Sequence, residues 1–139
     1  MNGEILNINR QNFKKYGSIL EFTSGYEQEF EIIVREPNHG WRLAVFKISK
    51  RTVGVIENHP ISMESFEPLK GVALLIVAEN NNPEEFEVFL LDKPVCLNAG
   101  IWHQVMALSE EAQVKIAENL EVKTEFYQLK SELSIKLKY

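Results

Sequence analysis

The chain has 139 residues, 45% hydrophobic and 25% charged, with a formal net charge of −5. That length buries a full core and fits one domain over residues 1–139. The acidic balance argues against a nucleic-acid partner, which needs a basic face, and no apolar run approaches the ~20 residues that span a bilayer. The opening run "MNGEILNINRQ" has no basic region followed by an apolar stretch, so no secretory signal is visible and a cytoplasmic location is expected. The single cysteine, Cys96, cannot form an internal disulfide, in keeping with a reducing compartment. Its place between Val95 and Leu97 reads as a structural thiol.

Asn9 is placed to cap a short helix over Arg10 to Tyr16, with Gly17 as its stop. Ile8 and Phe13 stand at the two positions of a hydrophobic staple. After Gly17 the pattern changes to strands. "SILEF", "QEFEIIV" and "WRLAVFKI" are predicted strands, the last following a turn at Pro37-Asn38-His39-Gly40, in which His39 is a loop residue. "VALLIVA", Val72 to Ala78, reads as a strand buried on both faces. Asn80-Asn81-Asn82-Pro83 turns the chain, and "FEVFLL" returns as the other arm of a hairpin. Glu84, Glu85 and Glu87 read as the wet side of an edge strand. "LNAGIWHQVMAL" holds a glycine turn and another apolar strand.

"SEEAQVKIAENL" carries two signals. Ser109 before two glutamates looks like a helix start, whereas Ala112, Val114 and Ile116 alternate as in a strand. Strand is favoured, because "LEVKTEF" and "LSIKLKY" continue the alternation, with Leu133, Ile135, Leu137 and Tyr139 on one face. Many short strands separated by turns predict an all-β sandwich or barrel after a short amino-terminal helix.

One segment does not fit a simple strand. "GVIENHPISMESFEPLKG", Gly54 to Gly71, places Glu57, His59, Glu64 and Lys70 directly before the most apolar run. If Val55 to His59 is extended, Glu57 and His59 share a face. The His59-Pro60 step and Pro68 turn the chain, so Glu64 folds back toward that face. His103 follows Gly100 by three residues and precedes the apolar "VMAL". Two carboxylates and two imidazoles make a donor set that suits a divalent transition metal. The same groups also suit proton transfer, with Glu64 or Glu57 as base and His103 as acid, and both assignments stay open. Lys47, Arg51 and Lys70 are cations that flank or belong to this segment, and arginine gives the better bidentate grip on an anion. Trp102 and Phe66 read as packing rather than as stacking surfaces.

The spacing His59, four residues, Glu64, six residues, Gly71 resembles the first metal-binding motif of cupins. Gly100, two residues, His103 resembles the second. Glu57 stands where the usual first histidine of a His-x-His pair would be, and Asn98 replaces the proline that usually opens the second motif. Within cupins, the chain resembles the ureidoglycolate lyase (ureidoglycolate hydrolase) family. "NRQNFKKYGSIL" is similar to its amino-terminal helix, "ENHPISMESFEPLKG" to its Glu-x-His-Pro segment and "GIWHQVMAL" to its Trp-His strand.

That resemblance implies a cupin-type β-barrel (a double-stranded β-helix or jelly roll), usually a homodimer. It implies a lyase that splits ureidoglycolate into glyoxylate and urea, late in purine breakdown through allantoin. The implied cofactor is a divalent metal, with nickel, manganese and zinc as candidates and Glu57, His59, Glu64 and His103 as ligands. Glu64, His103 and Lys70 are the implied catalytic groups, and Lys47, Arg51 and Lys70 the implied contacts to a small carboxylate substrate.

The departures bear on substrate more than on fold. The strand before the Glu-x-His-Pro segment reads "AVFKISKRTVG", where the family carries Arg or Asn with Gln-Pro; "CLNAG" lacks a further His; and Ala117-Glu118-Asn119 replaces the usual Asp-Arg-Gly. A metallocupin of other activity, such as a sugar isomerase or epimerase, and a cupin that only binds a small carboxylate are the competing expectations.

Overall fold

The computed structural model describes residues 4–21, 23–28, 31, 33–36 and 38–135. Along the chain run β1 (Ile5–Asn7), α1 (Arg10–Phe13), β2 (Gly17–Ile19), β3 (Trp41–Ile48), β4 (Thr52–Asn58) and β5 (Glu64–Lys70). Then come β6 (Ala73–Ala78), β7 (Glu87–Leu90), β8 (Val95–Leu97), β9 (Trp102–Ala107), β10 (Ala112–Asn119) and β11 (Glu125–Ser134). They form a six-stranded sheet, β1-β7-β6-β9-β4-β11, and a five-stranded sheet, β2-β8-β5-β10-β3. The fold is a cupin barrel.

The main core lies between the sheets. Leu75, Val77, Phe89 and Val105 of the six-stranded sheet meet Ile19, Phe66, Val95 and Val114 of the other. A second cluster covers the outer face of the six-stranded sheet, where Leu74 and Ile76 pack with Ile56, Trp102 and Met106. β6 serves both clusters, which is why all six of its residues are apolar and buried. β5 tolerates Pro68 because that residue lies beyond the three positions paired with β8. A bulge opposite, between Gln113 and Val114, leaves Leu69 without a cross-strand partner.

Several expectations are corrected. α1 ends at Phe13, not Tyr16, although its capping is as read. Asn9 Oδ1 accepts from the Gln11 and Asn12 amides at 3.0 and 2.9 Å, and Asn12 Oδ1 accepts from the Asn9 amide at 2.9 Å. Gly17 is not a helix stop but a strand residue, required because a Cβ there would lie 1.9 Å from the Cys96 carbonyl oxygen. β1, which runs parallel to β7, was not foreseen.

Of "QEFEIIV", residues 29, 30 and 32 lie outside the described residues, and Gln28, Glu31, Ile33 and Val34 form no strand. Ile33 and Val34 instead line a cavity together with Met63 and Trp41. "LEVKTEF" is a loop as far as Thr124, because Lys123 and Thr124 turn to contact His59. Leu133 is buried as expected, while Leu137 and Tyr139, like Phe22 and Pro37, lie outside the described residues.

The glutamates near the hairpin do not sit on an edge strand. β7 is flanked by β1 and β6. Glu84 accepts from the Tyr127 hydroxyl at 2.9 Å and the Lys130 amide at 2.8 Å, and Glu87 accepts from the Tyr16 hydroxyl. Among the described residues, no helix is long and apolar enough to cross a membrane.

Candidate metal centre

Two crossings between the sheets build the site. After β4, the turn from His59 to Met63 carries the chain from the six-stranded sheet to β5 in the other. The His59 carbonyl accepts the Ser62 amide at 3.3 Å and the Gly100 amide at 2.9 Å, tying this turn to the second crossing. There Gly100, at φ 79°, takes the left-handed conformation that favours glycine and sends the chain from β8 back to β9. His103 is thereby brought opposite Glu57 on the neighbouring strand. Asn80, in the β6–β7 turn, braces the crossing: its amide donates to the Gly100 carbonyl at 3.0 Å, and its own carbonyl accepts the Trp102 indole N–H at 2.9 Å.

Glu57, His59, Glu64 and His103 converge as expected. Glu64 Oε1 lies 3.0 Å from His103 Nε2 and 3.2 Å from His59 Nε2. Glu57 Oε1 stands 3.8 and 4.0 Å from the same two nitrogens. His59, Glu64 and His103 are all buried. The far side of each ring is fixed by backbone: His103 Nδ1 lies 2.9 Å from the Ile101 carbonyl, and His59 Nδ1 3.3 Å from that of Lys123. A carbonyl only accepts, and the Thr124 hydroxyl 3.2 Å from His59 Nδ1 is able to accept as well, so with a hydrogen on each Nδ1 a neutral ring turns its Nε2 lone pair to the cavity.

Three electron-pair donors therefore face one another. Glu64 Oε1 and His103 Nε2 are buried, and with the His103 hydrogen on Nδ1 neither has a donor to pair with. Such a cluster repels itself unless a cation lies between its members. Imidazole and carboxylate donors with their outer ring nitrogens anchored fit a divalent ion, and either Glu57 with both histidines or Glu118 with His59 and Glu64 could complete the ligand set. Without an ion, a proton takes the same place. Burial alone would lower the His59 pKa, but Glu64 outweighs it and holds it above the ordinary 6.5. Burial would raise Glu64, but the two imidazoles outweigh it and hold that carboxyl below the usual range.

Glu64, Glu118 and Arg42 form a row across β5, β10 and β3, since Glu118 is the direct cross-strand partner of both others. Arg42 Nε and Nη2 donate to Glu118 Oε1 at 2.9 and 2.5 Å. Glu118 is raised above the ordinary carboxylate value by burial and by Glu64, against the pull of Arg42. The row and the His/Glu cluster share a cavity of about 260 Å³, walled also by Phe46, Phe66 and Ile116. The Phe66 ring meets the His103 ring at 5.7 Å as part of that wall, and Trp102 packs against Tyr127 at 5.9 Å. A larger cavity of about 670 Å³ lies over Ser65, Cys96 and Ala117 and touches the site only through Glu118. Burial pushes the Cys96 thiol up to about 11, so it stays protonated.

The structure does not bring Lys47, Arg51 or Lys70 to this cavity. Lys47 and Lys70 both lie opposite Gln113, and Arg51 lies in the turn before β4, at the other end of the strands. Lys70 lies six residue steps from Glu64 along β5, roughly 20 Å at about 3.3 Å per step. The cation at the site is Arg42. Its signal was present: in "WRLAVFKI" it shares a face with Ala44, Phe46 and Ile48, just as Glu118 follows Ala112, Val114 and Ile116. A charge on the apolar face of an alternating strand marks a site residue.

A family model described as ureidoglycolate lyase matches residues 4–134. No significant match is found among curated proteins. Among solved structures, a dTDP sugar isomerase from Desulfovibrio desulfuricans G20 is similar, with TM-score 0.55 and 11% identity over 84% of this chain and 82% of that one. The capsular polysaccharide assembling protein CapF from Staphylococcus aureus is similar with TM-score 0.54 and 17% identity. That alignment covers 70% of this chain but spans only 29% of CapF. At such identities these likenesses concern the fold.

Proposed function

The chain belongs to the ureidoglycolate lyase family, and from that premise we propose that it cleaves ureidoglycolate to glyoxylate and urea at the His59–Glu64–His103 centre. The observation that carries the reading is the convergence of both Nε2 atoms on Glu64 Oε1, with all three residues buried at the base of one cavity. In this reaction the C–N bond to urea breaks as the hydroxyl O–H pair becomes the carbonyl. The hydroxyl proton leaves oxygen, and the departing nitrogen gains one.

His59, Glu64 and His103 would hold a divalent ion, and as ligands they would be removed from direct proton transfer. A bound divalent ion supplies Lewis-acid polarisation of the substrate oxygen. Glu57 is the less buried carboxylate beside the same nitrogens, and it takes the hydroxyl proton and returns it to the urea nitrogen. Arg42 receives the substrate carboxylate, a role that Lys47, Arg51 and Lys70 are too far away to fill. Phe46, Phe66 and Ile116 limit water around the reacting carbon.

A place in allantoin breakdown, a cytoplasmic location and a homodimer belong to the same reading. The dimer draws support from β3, an unbulged edge strand whose Trp41, Leu43 and Val45 are exposed on one side. The test is glyoxylate release from ureidoglycolate by the purified protein with added nickel or manganese, beside Glu57→Gln. Release that is lost in the variant supports the assignment. No release under any metal assigns the cavity to a different substrate.

A further inference from the structure

Arg42 is the only Lys or Arg among the described residues lining the metal-centre cavity, and Glu118 already holds it. The Glu118 carboxylate is 8% exposed, against 47% for the Arg42 side chain. It therefore occupies, from the inside, the part of the guanidinium that an incoming carboxylate would take. Both guanidinium bonds go to Oε1. Its neighbour along the row is Glu64, which offers no hydrogen to it when ionised.

We propose that Glu118 selects substrates carrying both a carboxylate and N–H donors, by exchanging partners with them. The substrate carboxylate takes Arg42, and the released Glu118 accepts the substrate's N–H groups. This rests on the ureidoglycolate reading above and assigns to one residue the choice of a ureido acid over a plain hydroxy acid. The reason is electrostatic. Glu57, Glu64 and Glu118 face a single arginine in this cavity. A ligand that offers only a carboxylate strips Arg42 from Glu118, and the buried Glu118 beside Glu64 must then take up a proton or stay without a donor, and either is costly. A ligand with a ureido group replaces the lost donor as it takes the cation. Rejection of the wrong ligand thus arises from the partner it leaves unpaired rather than from a clash.

The test is calorimetric titration of the manganese-loaded full-length protein with two unreactive probes. Glycolate offers a carboxylate and a hydroxyl, whereas N-carbamoylglycine offers a carboxylate and ureido N–H groups. Wild type is expected to bind N-carbamoylglycine roughly tenfold more tightly than glycolate. In Glu118→Gln that ratio collapses toward one, mainly because glycolate binds more tightly once Arg42 is released from a charged partner. Arg42→Gln weakens both probes. Equal affinities in wild type, or failure of both probes to bind, overturn the proposal without need of any variant. An unchanged ratio in Glu118→Gln together with weaker manganese binding also overturns it, because Glu118 is then a metal ligand. If the probes behave as expected but ureidoglycolate yields no glyoxylate, the lyase reading fails and the partner exchange stands.

Discussion

The His59 and His103 rings lie 5.1 Å apart, and each turns its Nδ1 to a backbone carbonyl so that both Nε2 atoms face Oε1 of Glu64. His59 follows β4 and His103 lies in β9, both in one sheet, while Glu64 opens β5 in the other. The site is thus a point where the two sheets are held together by side chains that, without a cation, repel. Its geometry depends on the two crossings, so residues that brace the crossings govern it without touching it.

Asn80 is the first such residue. Replacing it by Ala removes the donor to the Gly100 carbonyl and the side chain that packs behind the glycine turn. Outer-shell losses of this kind typically cost 10–100-fold in metal affinity. We expect Asn80→Ala to bind manganese about tenfold more weakly while retaining its fold, as read by metal titration and circular dichroism. Unchanged affinity would remove Asn80 from the account.

The pH dependence of stability should reverse sign with metal. The His59 pKa is raised in the folded protein, so its contribution is fully present below the ordinary 6.5 and is lost as pH rises through the folded value. Glu118 is raised too, so its contribution is likewise lost as pH rises above the ordinary 4.5 through the folded value. Glu64 is lowered, so its contribution is present above 4.5 and is lost only as pH falls through its folded value. Metal-free protein in EDTA should therefore melt at lower temperature as pH rises above 6.5. With manganese the trend opposes this, since the ligands bind metal only when deprotonated. Calorimetric melting across pH 5.5 to 9, with and without metal, checks the signs, and parallel curves would contradict them.

Gly17→Ala should destabilise the fold by about 3 kcal/mol, because the new Cβ cannot share space with the Cys96 carbonyl oxygen. The strain falls on the β2–β8 pairing, one strand removed from Glu64. Urea unfolding measures it. A loss under about 1 kcal/mol would mean that β2 can shift without cost.

Much of the barrel was legible because its signals are short-range. A short apolar run bounded by turn signals reads as a strand buried on both faces, and Asn80 to Pro83 is a strong turn signal; both are found. Glu57 and His59 were paired by their spacing of two, Glu64 and His103 were added by the proline turns and the glycine turn, and the resemblance to the cupin spacing joined the four. Alternation alone misread "QEFEIIV" and "LEVKTEF", since it does not reveal whether a neighbour strand exists or whether a backbone carbonyl is needed by His59. Arg42 and Glu118 lie 76 residues apart and meet only because β10 sits between β3 and β5. Lys47, Arg51 and Lys70 were singled out for nearness in sequence, but a strand carries nearby residues away from a site as readily as toward it.

The central claim is that His59, Glu64 and His103 hold one divalent ion, and its most direct test is manganese titration of wild type beside His103→Ala and His59→Ala, followed by calorimetry and by the manganese resonance spectrum. The account predicts one site per chain in wild type, with affinity lower by about 100-fold or more in each variant. Equal binding by wild type and both variants would contradict it and place the cation elsewhere on this acidic chain.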